Sequence, residues 1–113
     1  VEVWGDGTAV RSYTYVDDMV DGIYRLMHSS LEGAVNIGCP QYVSVDELLT
    51  TVAKIARKKI KIKHVKGPVG VQSRNFSNER IYSTGWKPRF DLEAGIKSTY
   101  PWIAEQVRLA KQS

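Results

Sequence analysis

A chain of 113 residues with 42% hydrophobic and 25% charged residues has the length and composition of one ordinary globular domain. No apolar run approaches the roughly 20 residues that span a bilayer, and the single cysteine, Cys39, excludes a disulfide framework and favours a reducing cytoplasm. The net charge of +4 includes a lysine-rich stretch at residues 58–66, which is typical of a solvated edge. The stretch lacks the aromatic platforms of a nucleic-acid surface, so an anionic small ligand fits the basic balance at least as well as a nucleic acid.

Two short strands around a tight turn are predicted at the start of the chain. Val1 to Trp4 has the β-prone composition of a strand, and Ser12 to Val16 predicts a second one. Between them, Gly5-Asp6-Gly7 predicts a turn because glycine readily adopts positive φ. The turn lies directly before Arg11. The chain begins at Val1, already within strand-like sequence, which we interpret as a sign of a piece of a longer protein.

A helix is predicted from Asp17 to about His28. Asp17 is expected to cap it and Asp18 to lie in its first turn, where carboxylates meet free backbone amides. Gly22 inside this helix predicts close packing against another element. The apolar positions that follow helical spacing are Val16, Val20, Ile23, Tyr24 and Met27.

The middle of the chain predicts a strand at residues 34–38, a helix after residue 44 and a strand at residues 60–63. Ser44 and Glu47 form a capping box, which marks the start of that helix. A glycine-rich loop is predicted at residues 67–75, a short helix at 78–84 and a last helix from residue 91. We therefore predict a small mixed α/β fold of about four helices and three to four short strands, forming one domain over residues 1–113.

Most catalytic chemistry has no candidate in this sequence. The Gly-Asp-Gly turn fails as a dinucleotide fingerprint because Val10 stands where a third glycine is needed. None of the six tyrosines has a lysine four residues later, and His28 and His64 lack metal-ligand spacing. What remains is anion recognition by Arg11 and Arg74, whose planar guanidinium groups match phosphate oxygens. The alternative is that each arginine makes a surface ion pair.

Several motifs together resemble the C-terminal part of an extended short-chain dehydrogenase/reductase, the family of NAD-dependent nucleotide-sugar epimerases and dehydratases. The resemblance implies that NAD lies in a separate N-terminal Rossmann domain and that this chain, without that domain, holds the nucleotide-sugar. Within the family, the branch that acts on GDP-mannose is the most similar. The motifs are Gly5-Asp6-Gly7, Arg11-Ser12-Tyr13, residues 15–18, residues 36–38, Val43-Ser44, residues 85–88 and residues 92–96.

The resemblance also implies roles for individual residues. Arg11 and Arg74 fall on the phosphate-contacting arginines of the family, and Val3 and Trp4 lie where the family lines the nucleotide base. Asn75, next to Arg74, is expected to contact phosphate or sugar. Where the family commonly has an aspartate before the short helix, this chain has Ser77, which can still cap that helix.

The sequence thus predicts a nucleotide-sugar-binding domain, with a GDP-sugar as the favoured ligand, that is not catalytic alone and that works with a Rossmann domain or partner chain. No cofactor or metal is expected to bind within residues 1–113, and neither nucleic acid nor membrane is an expected partner. The alternative is a free-standing, non-catalytic nucleotide-sugar-binding module, or a module whose exposed apolar faces form a homodimer.

Overall fold

The computed structural model describes residues 1–112, which form four helices and four short strands. The strands are β1 (Glu2–Trp4), β2 (Val10–Ser12), β3 (Tyr42–Ser44) and β4 (Lys63–Val65). The helices are α1 (Val16–Met27), α2 (Val45–Ala56), α3 (Glu79–Tyr82) and α4 (Leu92–Gln112). The predicted mixed α/β fold is confirmed. None of the helices in this range is long and apolar enough to cross a membrane.

The strands pair in two separate two-stranded sheets. β1 runs parallel to β4, with Val3 opposite His64, and β2 runs antiparallel to β3, with Arg11 opposite Val43. The first turn of α2 joins the two sheets, because the backbone amide of Asp46 donates to the Gly7 carbonyl at 3.1 Å. The Gly-Asp-Gly turn therefore lies between the sheets, against the start of α2.

Two strands lie at different places from those predicted. β2 occupies residues 10–12 instead of 12–16, because its partner β3, which the sequence analysis missed, pairs with those three residues. After β2 the chain leaves the ladder with β3, and the Thr14 hydroxyl accepts a hydrogen bond from the Cys39 amide at 2.9 Å. β4 begins at Lys63 instead of Ile60 because the ladder with β1 covers residues 63–65.

The predicted strand at residues 34–38 is wrong, since this segment belongs to neither sheet. A side chain holds the preceding stretch in place. The guanidinium of Arg80 donates to the Glu32 carbonyl at 2.6 Å and to the Ala34 carbonyl at 2.7 Å. The Glu32 and Ala34 carbonyls thus accept hydrogen bonds from the planar guanidinium of Arg80 and do not pair with a strand.

Asp18 and Trp86 form the centre of the core. The Trp86 indole is fully buried and donates to the Asp18 carbonyl at 2.9 Å. The Asp18 carboxylate, 1% exposed, accepts from the amides of Arg89 (3.0 Å) and Phe90 (2.9 Å). The predicted N-cap Asp17 is wrong, since α1 begins after Tyr15 without a side-chain cap, whereas Asp18 lies in the first turn as predicted. The Asp18 carboxylate satisfies amide donors of another segment.

α1 turns its small and polar side, not its apolar side, toward this core. A Cβ on Gly22 would lie 2.8 Å from the Ile37 side chain and 3.2 Å from the Trp86 indole nitrogen, which confirms the predicted close packing. The apolar stripe consequently faces outward, with Met27 75% exposed. The exposed members of the stripe are Val16, Val20, Ile23, Tyr24 and Met27. The second half of α4 is also exposed, including Trp102 and Ile103.

Candidate nucleotide-binding site

A pocket of about 470 Å³ beside β1 brings together three of the five residues predicted to bind substrate, Val3, Trp4 and Arg11. Val3 is buried in the pocket floor, whereas Trp4 is 59% exposed at its rim. The other lining residues are Val1, Glu2, Ala9, Tyr13, Val45, Leu49, Pro68 and Val69. The pocket thus combines an apolar floor, an aromatic rim, the positive charge of Arg11 and the negative charge of Glu2.

A second pocket of about 440 Å³ lies between α2, α4 and the link from β2 to α1. Its lining is mostly apolar and includes Tyr13, Val52, Ile96 and Tyr100. It contains none of the residues predicted to bind substrate. No lysine or arginine lines it, so it offers no cation to a phosphate group.

Arg11 projects from the middle of β2 and is held by backbone carbonyl groups. Its Nη1 donates to the Val10 carbonyl at 2.8 Å, and its Nη2 reaches the Val69 carbonyl at 3.5 Å. Within residues 1–112 it makes no ion pair. Carbonyl oxygens orient the guanidinium without neutralising it, so its charge stays available to an anion.

Asp6 stiffens the Gly-Asp-Gly turn that precedes Arg11. The Thr8 hydroxyl donates to the Asp6 carboxylate at 2.6 Å and the Thr8 amide at 3.0 Å. These bonds, the hydroxyl first, lower the pKa of the exposed Asp6 carboxyl below its ordinary value because they stabilise the charged form. Gly5 and Gly7 both have positive φ, of 84° and 76°, as the predicted turn requires.

The glycine-rich loop at residues 67–75 folds back over this turn and supplies one wall of the pocket. The Gln72 side chain donates to the Thr8 hydroxyl at 3.0 Å, and the Gln72 carbonyl accepts from the Val10 amide at 2.8 Å. Gly67 lies against the Trp4 ring so closely that a Cβ there would come within 2.6 Å of it. Sequence reasoning missed Pro68 and Val69 as pocket residues; the glycine before them is the signal that points to close approach.

Arg74 and Asn75 lie further along the same loop, outside this pocket. Both are exposed, and among residues 1–112 neither has a hydrogen bond or an ion pair. The structure therefore does not bring them together with Arg11, and their contact with phosphate or sugar stays a prediction. The hydroxyl of Ser77, just beyond them, accepts from the Glu79 amide at 3.3 Å and so satisfies one backbone amide in the first turn of α3.

A hydrogen-bonded pair of Asp46 and His64 lies next to the Gly-Asp-Gly turn. His64 Nε2 lies 2.9 Å from one Asp46 carboxylate oxygen and 3.0 Å from the other, which ties β4 to the start of α2. The Asp46 carboxylate fills the space that a side chain at Gly7 would need. Sequence analysis treated His64 only as a surface or packing residue. Across residues 1–112, no group of three or more His, Cys, Asp or Glu side chains has the arrangement of a metal site.

The Gly-Asp-Gly turn does not fit the pyrophosphate of a dinucleotide such as NAD. A dinucleotide loop leads into a helix whose free amides face the pyrophosphate, whereas strand β2 follows this turn. In addition, the carboxylate of Asp46 packs against Gly7, where the fingerprint needs open space and no negative charge. The turn serves instead to position Arg11 and the loop over the pocket.

Replacing Gly7 with alanine is expected to destabilise the protein by roughly 2–5 kcal/mol. Positive φ costs an L residue about 1–2 kcal/mol, and overlap with the Asp46 carboxylate adds a packing cost of about 1–3 kcal/mol. Gly33→Ala is the matched control, because Gly33 has a similar φ of 80° but nothing within 4 Å of the new Cβ. Urea denaturation should show a loss of only about 1 kcal/mol for this control. Equal losses would disprove the packing argument.

The chain is similar to parts of nucleotide-sugar epimerases and of related enzymes. Residues 1–38 match the NAD dependent epimerase/dehydratase family. UDP-glucose 4-epimerase of Thermotoga maritima, solved with UDP-glucose, superimposes with a TM-score of 0.88 at 27% identity, covering 95% of this chain and 35% of that one. The chain resembles part of an extended short-chain dehydrogenase/reductase, which confirms the resemblance inferred from its motifs.

Particular relatives are more similar in sequence. The chain is 41% identical to GDP-mannose 3,5-epimerase of Arabidopsis thaliana, over 97% of this chain and 29% of the relative. It is 34% identical to the probable GDP-L-fucose synthase 1 of Oryza sativa subsp. japonica, over 99% of this chain and 35% of the relative. The chain therefore spans about a third of the length of these relatives.

Proposed function

We propose that residues 1–113 form the nucleotide-sugar-binding domain of an NAD-dependent sugar-nucleotide epimerase, with a GDP-sugar as ligand. Support for the class comes from the epimerase/dehydratase family match, and support for the base comes from two relatives whose names include GDP-sugars. NAD belongs in a Rossmann domain in the remaining two thirds of the protein, where it supplies the transient oxidation and re-reduction of the sugar. The lone buried Cys39 suits the reducing cytoplasm.

The observation that carries this proposal is a half-buried arginine without an ion-pair partner at the edge of an apolar pocket. Arg11 is oriented by carbonyl groups of Val10 and Val69 and has no carboxylate partner in the described part of the chain. A nucleotide diphosphate supplies both the anion for Arg11 and a flat base for Val3 and the Trp4 ring.

The work of this domain is to bind and orient. Fixing the diphosphate at Arg11 determines where the attached sugar extends, and that placement supplies the proximity on which hydride and proton transfer depend. Arg74 and Asn75 are exposed on the loop that forms the pocket wall, from which they reach the phosphate or sugar in this proposal. The domain alone is not expected to turn over substrate.

Isothermal titration calorimetry of the full-length protein tests this proposal. GDP-mannose is expected to bind at least about tenfold more tightly than UDP-glucose, which corresponds to ~1.4 kcal/mol. Equal or tighter binding of UDP-glucose would disprove the GDP assignment while leaving the nucleotide-sugar class intact. An absence of heat with either ligand at millimolar concentration would disprove the proposed function as a whole.

The second candidate is a free-standing binding module that pairs with a second copy of itself. The exposed apolar stripe of α1 favours this candidate, because an uncovered stripe of this kind seeks a partner surface. In the first proposal, the Rossmann domain or a partner chain covers the stripe. Light scattering of residues 1–113 separates the two: a stable dimer that binds nucleotide-sugar supports the module, and an aggregating or monomeric chain contradicts it.

A further inference from the structure

The positive charge of this protein is concentrated in one stretch, residues 57–66, which we call the basic segment. It contains six of the sixteen lysines and arginines of the chain and none of its twelve aspartates and glutamates. The rest of the chain, with ten basic and twelve acidic residues, is therefore net negative. The basic side chains of the segment are Arg57, Lys58, Lys59, Lys61, Lys63 and Lys66, and all are exposed.

None of these six cations forms an ion pair within residues 1–112. Elsewhere, by contrast, Arg25 pairs with Asp21 and Arg108 with Glu105, and Lys54 and Lys97 both reach Glu93. Four of the ten cations outside the segment are thus ion-paired, whereas none of the six inside it is. Its positive potential extends into solvent.

The basic segment runs along the candidate pocket. The Val1 backbone nitrogen donates to the Lys61 carbonyl at 2.8 Å, and the Lys63 amide donates to the Val1 carbonyl at 2.8 Å. β4 then lies beside β1, which carries Val3 and Trp4 of the pocket. Immediately after Lys66 the chain enters Gly67–Val69, whose last two residues form a pocket wall. The segment therefore frames one side of the pocket without lining it.

We propose that the basic segment steers anionic nucleotide diphosphates into the pocket and raises their association rate. Neighbouring strands lie about 4.8 Å apart, well within the Debye length of about 8 Å at physiological salt, so the segment's field covers the pocket mouth. Steering of this kind raises association rates by about 10–10³-fold. The segment contains no aromatic side chain, which disfavours a nucleic acid as its partner. This inference rests on the proposed nucleotide-sugar site.

The test is stopped-flow binding of GDP-mannose to the full-length protein at several NaCl concentrations. A variant with Lys58→Gln, Lys59→Gln, Lys61→Gln and Lys63→Gln is expected to show an association rate about 5–10-fold lower at 20 mM NaCl. The difference from the native protein should vanish near 0.5 M NaCl, where screening is nearly complete. The dissociation rate should stay unchanged, because these side chains do not line the pocket.

The matched control removes four lysines elsewhere, with Lys54→Gln, Lys87→Gln, Lys97→Gln and Lys111→Gln. It changes the net charge equally and should leave the association rate within about twofold of the native value. Equal slowing in both variants, or unchanged kinetics in the first, would overturn the steering inference. If the native protein does not bind GDP-mannose, the proposed function itself fails, so the two failures are distinguishable.

Discussion

Replacing Trp86 with alanine is expected to lower the free energy of unfolding by about 3–5 kcal/mol, the range typical of large aromatic truncations in a core. The indole is fully buried, and its nitrogen donates to the Asp18 carbonyl. The same region holds Arg89 and Phe90 against α1 through the Asp18 carboxylate. Loss of the indole thus loosens the contact between α1 and the link that precedes α4.

Trp86→Phe separates packing from hydrogen bonding at this position. Phenylalanine keeps most of the buried ring but leaves the Asp18 carbonyl without its indole donor, at a cost of about 1–2 kcal/mol. Urea denaturation of both variants, followed by circular dichroism, gives the comparison. A loss below about 1 kcal/mol for Trp86→Ala would show that this residue does not organise the core.

Replacing Arg11 with alanine is expected to weaken GDP-mannose binding by about 10–150-fold. Hydrogen bonds to charged groups contribute about 1.5–3 kcal/mol, and in our proposal the guanidinium makes them to the diphosphate. Stability should change little, because Arg11 contacts only neutral carbonyl groups, one of them at 3.5 Å. Calorimetry of the full-length protein measures the affinity, and the melting temperature checks the fold.

Two further variants sharpen the interpretation of Arg11. Arg11→Lys keeps the charge but not the planar fork, so an intermediate affinity is expected. Arg74→Ala is expected to cost less than Arg11→Ala, because Arg74 is exposed on the loop and outside the pocket. A folded Arg11→Ala variant with native affinity would show that the diphosphate binds elsewhere.

Local signals in the sequence predicted the helices well. Ser44 and Glu47 indicated the start of α2, and the Ser44 hydroxyl indeed accepts from the Glu47 amide at 3.1 Å. The tight turn requires positive φ at Gly5 and Gly7, and glycine adopts such values readily, so this conformation was predictable as well. The Ser44 cap and the Gly-Asp-Gly turn depend on neighbours within a few residues, so sequence alone sufficed for these two.

The strands and the orientation of α1 depended on distant partners. β2 and β3 pair across about thirty residues of chain, and no periodicity in either strand indicates which residues will pair. For α1, the apolar spacing did not indicate which side faces the core. Asp18 and Gly22 face it, because Trp86 and its neighbours donate to Asp18 and Trp86 packs closely against Gly22. The spacing of an apolar stripe is the same whether the stripe packs in the core or against a surface outside the described residues.

The candidate site was only partly predictable, because part of its lining depends on contacts between residues that are distant in sequence. The chemistry of the guanidinium group identified Arg11, and the resemblance to the family added Val3 and Trp4. The pocket wall at Pro68 and Val69 could not be predicted, because it depends on how Gln72 ties the loop to Thr8. That tie joins residues 64 positions apart.

The most direct test of the account is a crystal structure of the full-length protein with GDP-mannose. We expect diphosphate oxygens about 2.7–2.9 Å from the Arg11 guanidinium, the distance of a charge-assisted hydrogen bond, with the base against Val3 and Trp4. A diphosphate bound elsewhere, with Arg11 still held only by the Val10 and Val69 carbonyls, would contradict the assignment of this pocket.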